Sequence, residues 1–592
     1  MAEDLIRGGH FLTRPLGDPI MCPERFSDEQ REFKRTGLGF IKTKVVPKIP
    51  QIEGKDLPLL RQLIAQAGEL GLLMSDVPEE HGGLGLDKTT SMILTEAMNG
   101  CGSWAVTYGA HIGIGMLPIV FFGNDEQKAH YLPKLASGEW VGAYALTEAG
   151  AGSDALNIRT KATLDGEHYV LNGTKQWITN AGIADVFVVF AKVDGQKFTG
   201  FIVERGDPGV TIGPEEHKLG LRGSSTCEVI LEDARIPKDR VLGRIGRGHR
   251  IAFGILFFGR LKLGIGAIGG TKEILDRAIA YAKERRQFDR AIVEFGLIRH
   301  KLARVAARLY ACEAMGYRTS GLIDDYITTP PLRNKSKEEH VQSALEEYGI
   351  ESAILKVYGS ELLDHAIDEA MQIHGGYGYT EHYDIERIYR DARINRIFEG
   401  TNEINRLLIS GTLIRRSKKK QLPMAALAEQ VQAELQQPDQ LPQADPGDPL
   451  GQEKRAVERL KRLAAYAGHV AVSRNQVTID ERQDILGTFA DLLVDAFAAE
   501  STVLRTAQLI ADQGADKLPM ARAITAYVVD ECCASAEHKA RLLVGCVLEG
   551  DELDAELKNI TTLAARPPVR VFEQLEIIAA QLDEAETYRV PA

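Results

Sequence analysis

The hydrophobic period of this chain changes twice along its length, and that change constrains the fold more than any other feature. From about residue 25 to 142, apolar residues recur at three- and four-residue spacing, as in Leu59-Leu-Arg-Gln-Leu-Ile-Ala-Gln-Ala and Thr90-Ser-Met-Ile-Leu-Thr-Glu-Ala-Met. That spacing puts them on one face of a helix. From Gly142 to about Leu242, short β-branched runs such as Val186-Phe-Val-Val-Phe-Ala-Lys-Val and Gly200-Phe-Ile-Val-Glu take over. Asp165-Gly166, Asn172-Gly173 and Asp194-Gly195 punctuate them as turn signals. Helical spacing then returns from Gly248 to Arg416. The expected class is mainly α with a central antiparallel β-domain.

Five segments follow from this reading: an N-terminal helical domain at 25–142, a middle β-domain at 143–245, a core helical bundle at 246–416, a linker at 417–450 and a C-terminal helical domain at 451–592. The linker is read from its Lys, Gln, Pro and Asp, and the last segment from renewed helical periodicity, most simply a bundle. Thr328 to Lys337 is proline-bearing and charged, which marks a surface loop.

With 44% apolar and 26% charged residues, the 592-residue chain has the composition of a soluble globular protein. Its net charge of −12 argues against a nucleic-acid footprint. Met1-Ala-Glu-Asp-Leu-Ile lacks the positive-then-apolar pattern of a secretory signal. The seven cysteines are scattered without C-x-x-C spacing, which predicts structural thiols in a reducing compartment and no metal site. The apolar window Ile251 to Gly270 carries Arg260 and Lys262 near its centre, where charge is costly in a bilayer, so a buried helix is expected.

Chemistry concentrates at Arg396-Ile-Phe-Glu399-Gly400-Thr401-Asn-Glu403. A carboxylate beside Ile397 and Phe398 is partly desolvated, which raises its pKa and suits it to accept a proton near neutrality. Glu399 is the candidate general base; the plainer alternative is a helix-capping glutamate, or one paired with Arg393 or Arg396.

Two further segments change the odds: Tyr144-Ala-Leu146-Thr147-Glu-Ala-Gly-Ala-Gly-Ser153-Asp and Lys175-Gln-Trp177-Ile-Thr179-Asn. With Glu399 they make residues 25 to 416 resemble the flavin-dependent acyl-CoA dehydrogenases. The extra helical region makes the very-long-chain type the nearest likeness. The fold implied is that of an acyl-CoA dehydrogenase with an added C-terminal helical bundle. The resemblance implies FAD as cofactor, with Tyr144, Leu146, Thr147 and Ser153 along the flavin and the neighbouring thioester, and Trp177 and Thr179 against the ring. It also implies that Arg285, with Gln287 and Phe288 in a helix, reaches the FAD pyrophosphate of a second subunit. Gln372, Gly375 and Gly376 fall near the adenosine half, and Thr401 and Glu403 follow the base. Ser153, Arg260 and Gly400 lie on the substrate side, and the family's alternative base position is Gly259, which cannot accept a proton. Val106 and Ala110 stand where the medium-chain type carries long polar plugs, which leaves an apolar tunnel open to long chains.

The implied activity is FAD-dependent α,β-dehydrogenation of long-chain acyl-CoA to trans-2-enoyl-CoA in fatty-acid β-oxidation, with electrons passing to an electron-transfer flavoprotein and the chain forming a homodimer. An acyl-CoA oxidase-like flavoenzyme and a scaffold recruiting a respiratory or membrane partner are the alternatives. The implied location is a bacterial cytoplasm or mitochondrial matrix. Lys418-Lys-Lys-Gln-Leu-Pro-Met-Ala-Ala-Leu could add peripheral contact with an anionic inner membrane face.

Overall fold

In the computed structural model, residues 5–17, 19–330, 336–475 and 478–590 are described. The middle of the loop expected from Thr328 to Lys337 lies outside them. The helix Gly296–Thr328 ends at the loop's start, and Lys337–Glu347 begins at its end.

The N-terminal helices run from Asp28–Phe40 to Asp125–Ser137. Local sequence sets their starts: Ser27 with Gln30 and Asn124 with Gln127 form reciprocal capping boxes, satisfying donors that a helix start leaves open. The sheet that follows has eight strands: β1 Gly142–Ala145, β2 Lys161–Asp165, β3 His168–Thr179, β4 Val186–Val193, β5 Lys197–Glu204, β6 Val210–Ile212, β7 Thr226–Pro237 and β8 Val241–Leu242. Pairing is mostly antiparallel, but β4 also pairs in parallel with β1 and β2. Asp165-Gly166 and Asp194-Gly195 form the expected hairpin turns. Asn172-Gly173 does not: it lies inside β3 at a register shift against β7. There a Cβ on Gly173 would meet Thr160 Oγ1 at 2.5 Å, so the glycine allows close approach rather than a turn.

Four long helices carry the core: Gly248–Glu284, Gly296–Thr328, Gly349–His374 and Asn402–Lys418. The first and third cross closely at Gly264, where a Cβ would come within 2.5 Å of Leu355 Cγ. The apolar window at Ile251 to Gly270 lies in the first of these helices, where Arg260 and Lys262 are both buried within the protein. Arg285–Phe288 is not helical as expected. The helix ends at Glu284, and Arg286–Gln287 pairs with Arg290–Ala291 in a hairpin whose turn residues Phe288 and Asp289 both have positive φ.

The stretch 417–450 is not an open linker along its whole length. It contains the helix Met424–Gln436, whose Met424, Ala428 and Val431 are buried, and Glu434 pairs with Arg462 at 2.8 Å. Of the apolar residues considered for membrane contact, Leu422 and Met424 face protein, Leu427 is half-buried and Ala425 and Ala426 are exposed, which leaves no continuous apolar face for a membrane.

The C-terminal helices Gly451–Arg474, Gln483–Gln513, Pro519–Gly545, Gly550–Ala564 and Val571–Ala585 pack onto the core rather than beside it. Arg505 lies between them, fully buried, with Glu24 at 2.6 Å and Glu313 at 2.9 Å. The segment before residue 25, assigned to no domain from sequence, is held in the same place: Phe11 is buried with its ring 4.9 Å from that of Phe497.

Candidate active site

Glu399 sits in the turn between the short helix Arg393–Arg396 and the helix Asn402–Lys418. The turn is backbone-strained: Glu399 and Gly400 have φ of 57° and 79°. Left-handed backbone is uncommon for a residue with a side chain and clusters at functional sites. The helix cap is supplied by Thr401, whose hydroxyl accepts from Ile404 N, and Arg396 pairs with Asp364 at 2.9 Å. The plainer readings of Glu399 as a cap or a partner of Arg396 therefore fail. Its Oε2 is sealed from solvent and accepts no hydrogen bond among the described residues. Burial pushes the carboxyl pKa up, opposed by the charges of Arg260 and Lys356.

Gly259 faces this carboxylate across the cavity. A Cβ there would lie 2.6 Å from Glu399 Oε2, so the position can hold no second side chain while Glu399 points as it does. Arg260 is buried, with its Nε donating to the Glu399 carbonyl at 3.4 Å and its guanidinium over the Phe257 ring at 5.4 Å.

The carboxylate opens onto an apolar cavity of about 230 Å³. Val106, Ala110, Thr179 and Phe398 line it, together with Gly259, Gly266 and Gly270 of the helix Gly248–Glu284. That glycine row was missed from sequence, although its spacing of seven and four residues is a one-face helical signal. Asn99, Glu273 and Arg387 also line the cavity and carried no readable motif.

On the sheet side, the loop after β1 is clamped to β3. Lys175 Nζ donates to Glu148 Oε1 at 2.6 Å and to the Leu146 carbonyl at 3.2 Å, and Gln176 N donates to the Thr147 carbonyl at 2.9 Å. Glu148 and Lys175 were not singled out from sequence, where nothing relates them. Just beyond the clamp the β3–β7 register shifts between Lys175 and Ile178, and Trp177 takes φ 57°. A bulge re-aims a side chain. Here it leaves Trp177 58% exposed, whereas a tryptophan in a sheet domain is ordinarily core. Tyr144 is buried against Phe190, and Ser153 is exposed on the loop.

A second cavity, of about 500 Å³, gathers Arg285, Gln287, Gly375 and Gly376 from segments nearly ninety residues apart. Gln372 is exposed next to this group, and Phe288 at the hairpin tip is 87% exposed. His374 is stacked on Tyr281 and bonded to the Ala370 carbonyl at 2.7 Å, as a structural histidine would be. Glu403 is exposed in the first turn of Asn402–Lys418.

Family models for the acyl-CoA dehydrogenase N-terminal, middle and C-terminal domains match residues 27–139, 143–234 and 246–414. A further acyl-CoA dehydrogenase C-terminal domain model matches 459–561. The chain belongs to the acyl-CoA dehydrogenase family. As such it is an FAD-dependent enzyme. A probable acyl-CoA dehydrogenase of Bacillus subtilis is 46% identical over 592 residues, 100% of this chain and 99% of that one. The human mitochondrial very long-chain specific acyl-CoA dehydrogenase is 42% identical over 355 residues, 58% of this chain and 51% of that one. A Bacillus anthracis acyl-CoA dehydrogenase crystallised with FAD superposes with a TM-score of 0.95 at 43% identity, covering 99% of this chain and 100% of that one.

The exposed Trp177, the strand bulge that presents it, and the open cradle at Gly375 and Gly376, where a Cβ on either glycine would meet nothing within 4 Å, fit a large planar cofactor with a phosphate-bearing tail.

Proposed function

We propose that this acyl-CoA dehydrogenase oxidises long-chain acyl-CoA to trans-2-enoyl-CoA in fatty-acid β-oxidation, with Glu399 as the base. The observation that carries this reading is the unpartnered Oε2 of Glu399 facing an apolar, glycine-walled cavity. A carboxylate whose buried oxygen accepts no hydrogen bond is poorly stabilised, which makes it a stronger base than one in water. Glu399 takes the α proton. FAD, when bound, supplies the acceptor for the β hydride, which no side chain can provide. In this reading Trp177, Thr179, Tyr144, Leu146 and Thr147 hold the flavin end, with Ser153, Gly400 and Arg260 toward the thioester. Arg285, with its permanent forked charge, suits the pyrophosphate, alongside Gln287, Phe288, Gln372, Gly375 and Gly376, with Thr401 and Glu403 after the base.

Small side chains at Val106 and Ala110, which line the same cavity as Gly266 and Gly270, support a long-chain substrate, since each buried methylene contributes about 0.8 kcal/mol. The hairpin tip, with Phe288 87% and nearby Leu297 81% exposed, supports a homodimer in which Arg285 serves the second copy's FAD. Electrons pass to an electron-transfer flavoprotein in this reading. Turnover measured over a series of acyl chain lengths, with oxygen or such a flavoprotein as acceptor, tests it. Fast reoxidation by oxygen alone would identify an oxidase instead.

A further inference from the structure

Lys356, on the helix Gly349–His374, is wholly buried. Its Nζ donates to the Gly400 carbonyl at 2.8 Å and to Asn402 Oδ1 at 2.7 Å, so one ammonium grips the two ends of the turn that follows Glu399. Asn402 is fixed in its turn by Ser360, whose Oγ lies 3.0 Å from its Nδ2, and by Glu361 Oε1 at 3.0 Å. No carboxylate pairs directly with Lys356 among the described residues, although a buried ammonium carries a heavy desolvation cost. Two neutral oxygens and the charges of Glu399, Glu361 and Glu403 offset it in part, and burial still lowers the Lys356 pKa to about 8.

We propose that Lys356 is a positioning residue for Glu399: its bonds to Gly400 and Asn402 fix the left-handed turn that aims the carboxylate into the tunnel, and its positive charge keeps that carboxylate ionised. This rests on Glu399 being the base. The charged and titratable groups around the pair come from four elements. Arg260 on Gly248–Glu284 and Tyr144 on β1 face Glu399, while Glu361 on Lys356's own helix and Glu403 on Asn402–Lys418 face Lys356. Glu361 is already engaged by Arg406 at 2.9 Å.

The direction of the effect follows. Removing a positive charge next to Glu399 favours its protonated form and raises its pKa further. The base then stays protonated to higher pH, so the acid limb of the rate moves up. A lysine that served folding alone would lower the yield of enzyme without moving that limb.

The test uses the full FAD-loaded chain and two readouts against pH. One is the rate of flavin reduction by acyl-CoA; the other is deprotonation of a bound α-acidic acyl-CoA analogue that cannot be oxidised, which needs no turnover. Lys356→Met is expected to shift both acid limbs upward by about one pH unit, and Lys356→Arg to reverse most of that shift. Should Lys356→Met not yield folded, FAD-replete protein, Lys356→Gln also removes the charge while keeping a donor for the turn, and the same upward shift is expected. Limbs that superimpose on wild type in the folded variant overturn the proposal. Glu399→Gln separates the two levels: if it still turns over, the base assignment itself fails, whereas an inactive Glu399→Gln with unmoved limbs in the folded Lys356 variant refutes only the positioning role.

Discussion

A Cβ on Gly259 would stand 2.6 Å from Oε2 of Glu399, closer than two such atoms approach without one moving. Positions 259 and 399 thus compete for one volume, and here the glycine leaves it to the Glu399 carboxylate. Gly259→Ala is expected to push the carboxylate from its orientation and slow flavin reduction roughly ten-fold or more, since small misplacements of a reacting group are costly. FAD content should stay at the wild-type level. Stopped-flow reduction of the folded variant at an unchanged rate would show that the approach is relieved without consequence.

Val106→Gln with Ala110→Glu is expected to shift preference from long toward medium acyl chains. Both positions line the cavity, and polar side chains there would fill its apolar depth and desolvate poorly. The measurement is kcat/KM across a chain-length series. An unchanged profile would contradict the tunnel reading.

Arg285→Ala is expected to weaken FAD retention without disturbing the fold, because Arg285 lies past the end of its helix at the rim of an open cavity and takes part in no ion pair among the described residues. Flavin-to-protein ratio after gel filtration and circular dichroism of the apoprotein would check both halves. Retention equal to wild type would remove Arg285 from the site.

Arg505→Met is expected to destabilise the protein by about 3–5 kcal/mol, the range for breaking a buried ion pair from one side. Arg505 is the cation facing Glu24 and one of those facing Glu313, with its own side chain 2% exposed. Truncation after Arg416 removes the same residue and uncovers the core helices, so a loss of soluble protein is expected rather than a free-standing dehydrogenase core. Denaturant unfolding of Arg505→Met within about 1 kcal/mol of wild type would contradict this.

Much of this was legible in the sequence, and the misses have physical causes. The burial of Glu399 was readable because an apolar run followed by Gly-Thr-Asn suggests a desolvated carboxylate before a helix start, although the motif needed the segments at Tyr144 and Lys175 beside it to point to chemistry. The central sheet was readable from its period. Lys356 and the Glu148–Lys175 clamp were not, since their partners lie 44 and 27 residues away and only the folded chain relates them. Asn172-Gly173 misled because a glycine that admits Thr160 has the same dipeptide signature as a turn. The linker misled because polar composition conceals the few buried positions, Met424, Ala428 and Val431, that dock a short helix.

The most direct test is Glu399→Gln. The amide keeps the shape of the side chain and loses its basicity, and Gly259 offers no replacement. The variant should bind FAD as wild type does and lose flavin reduction by acyl-CoA by about 10²–10⁴-fold, the usual contribution of a general base. In wild type the acid limb should lie above the usual carboxylate range, because burial raises the Glu399 pKa and the base works only when ionised. A folded, FAD-replete Glu399→Gln that keeps more than about a tenth of the wild-type rate would contradict the assignment of Glu399 as the base.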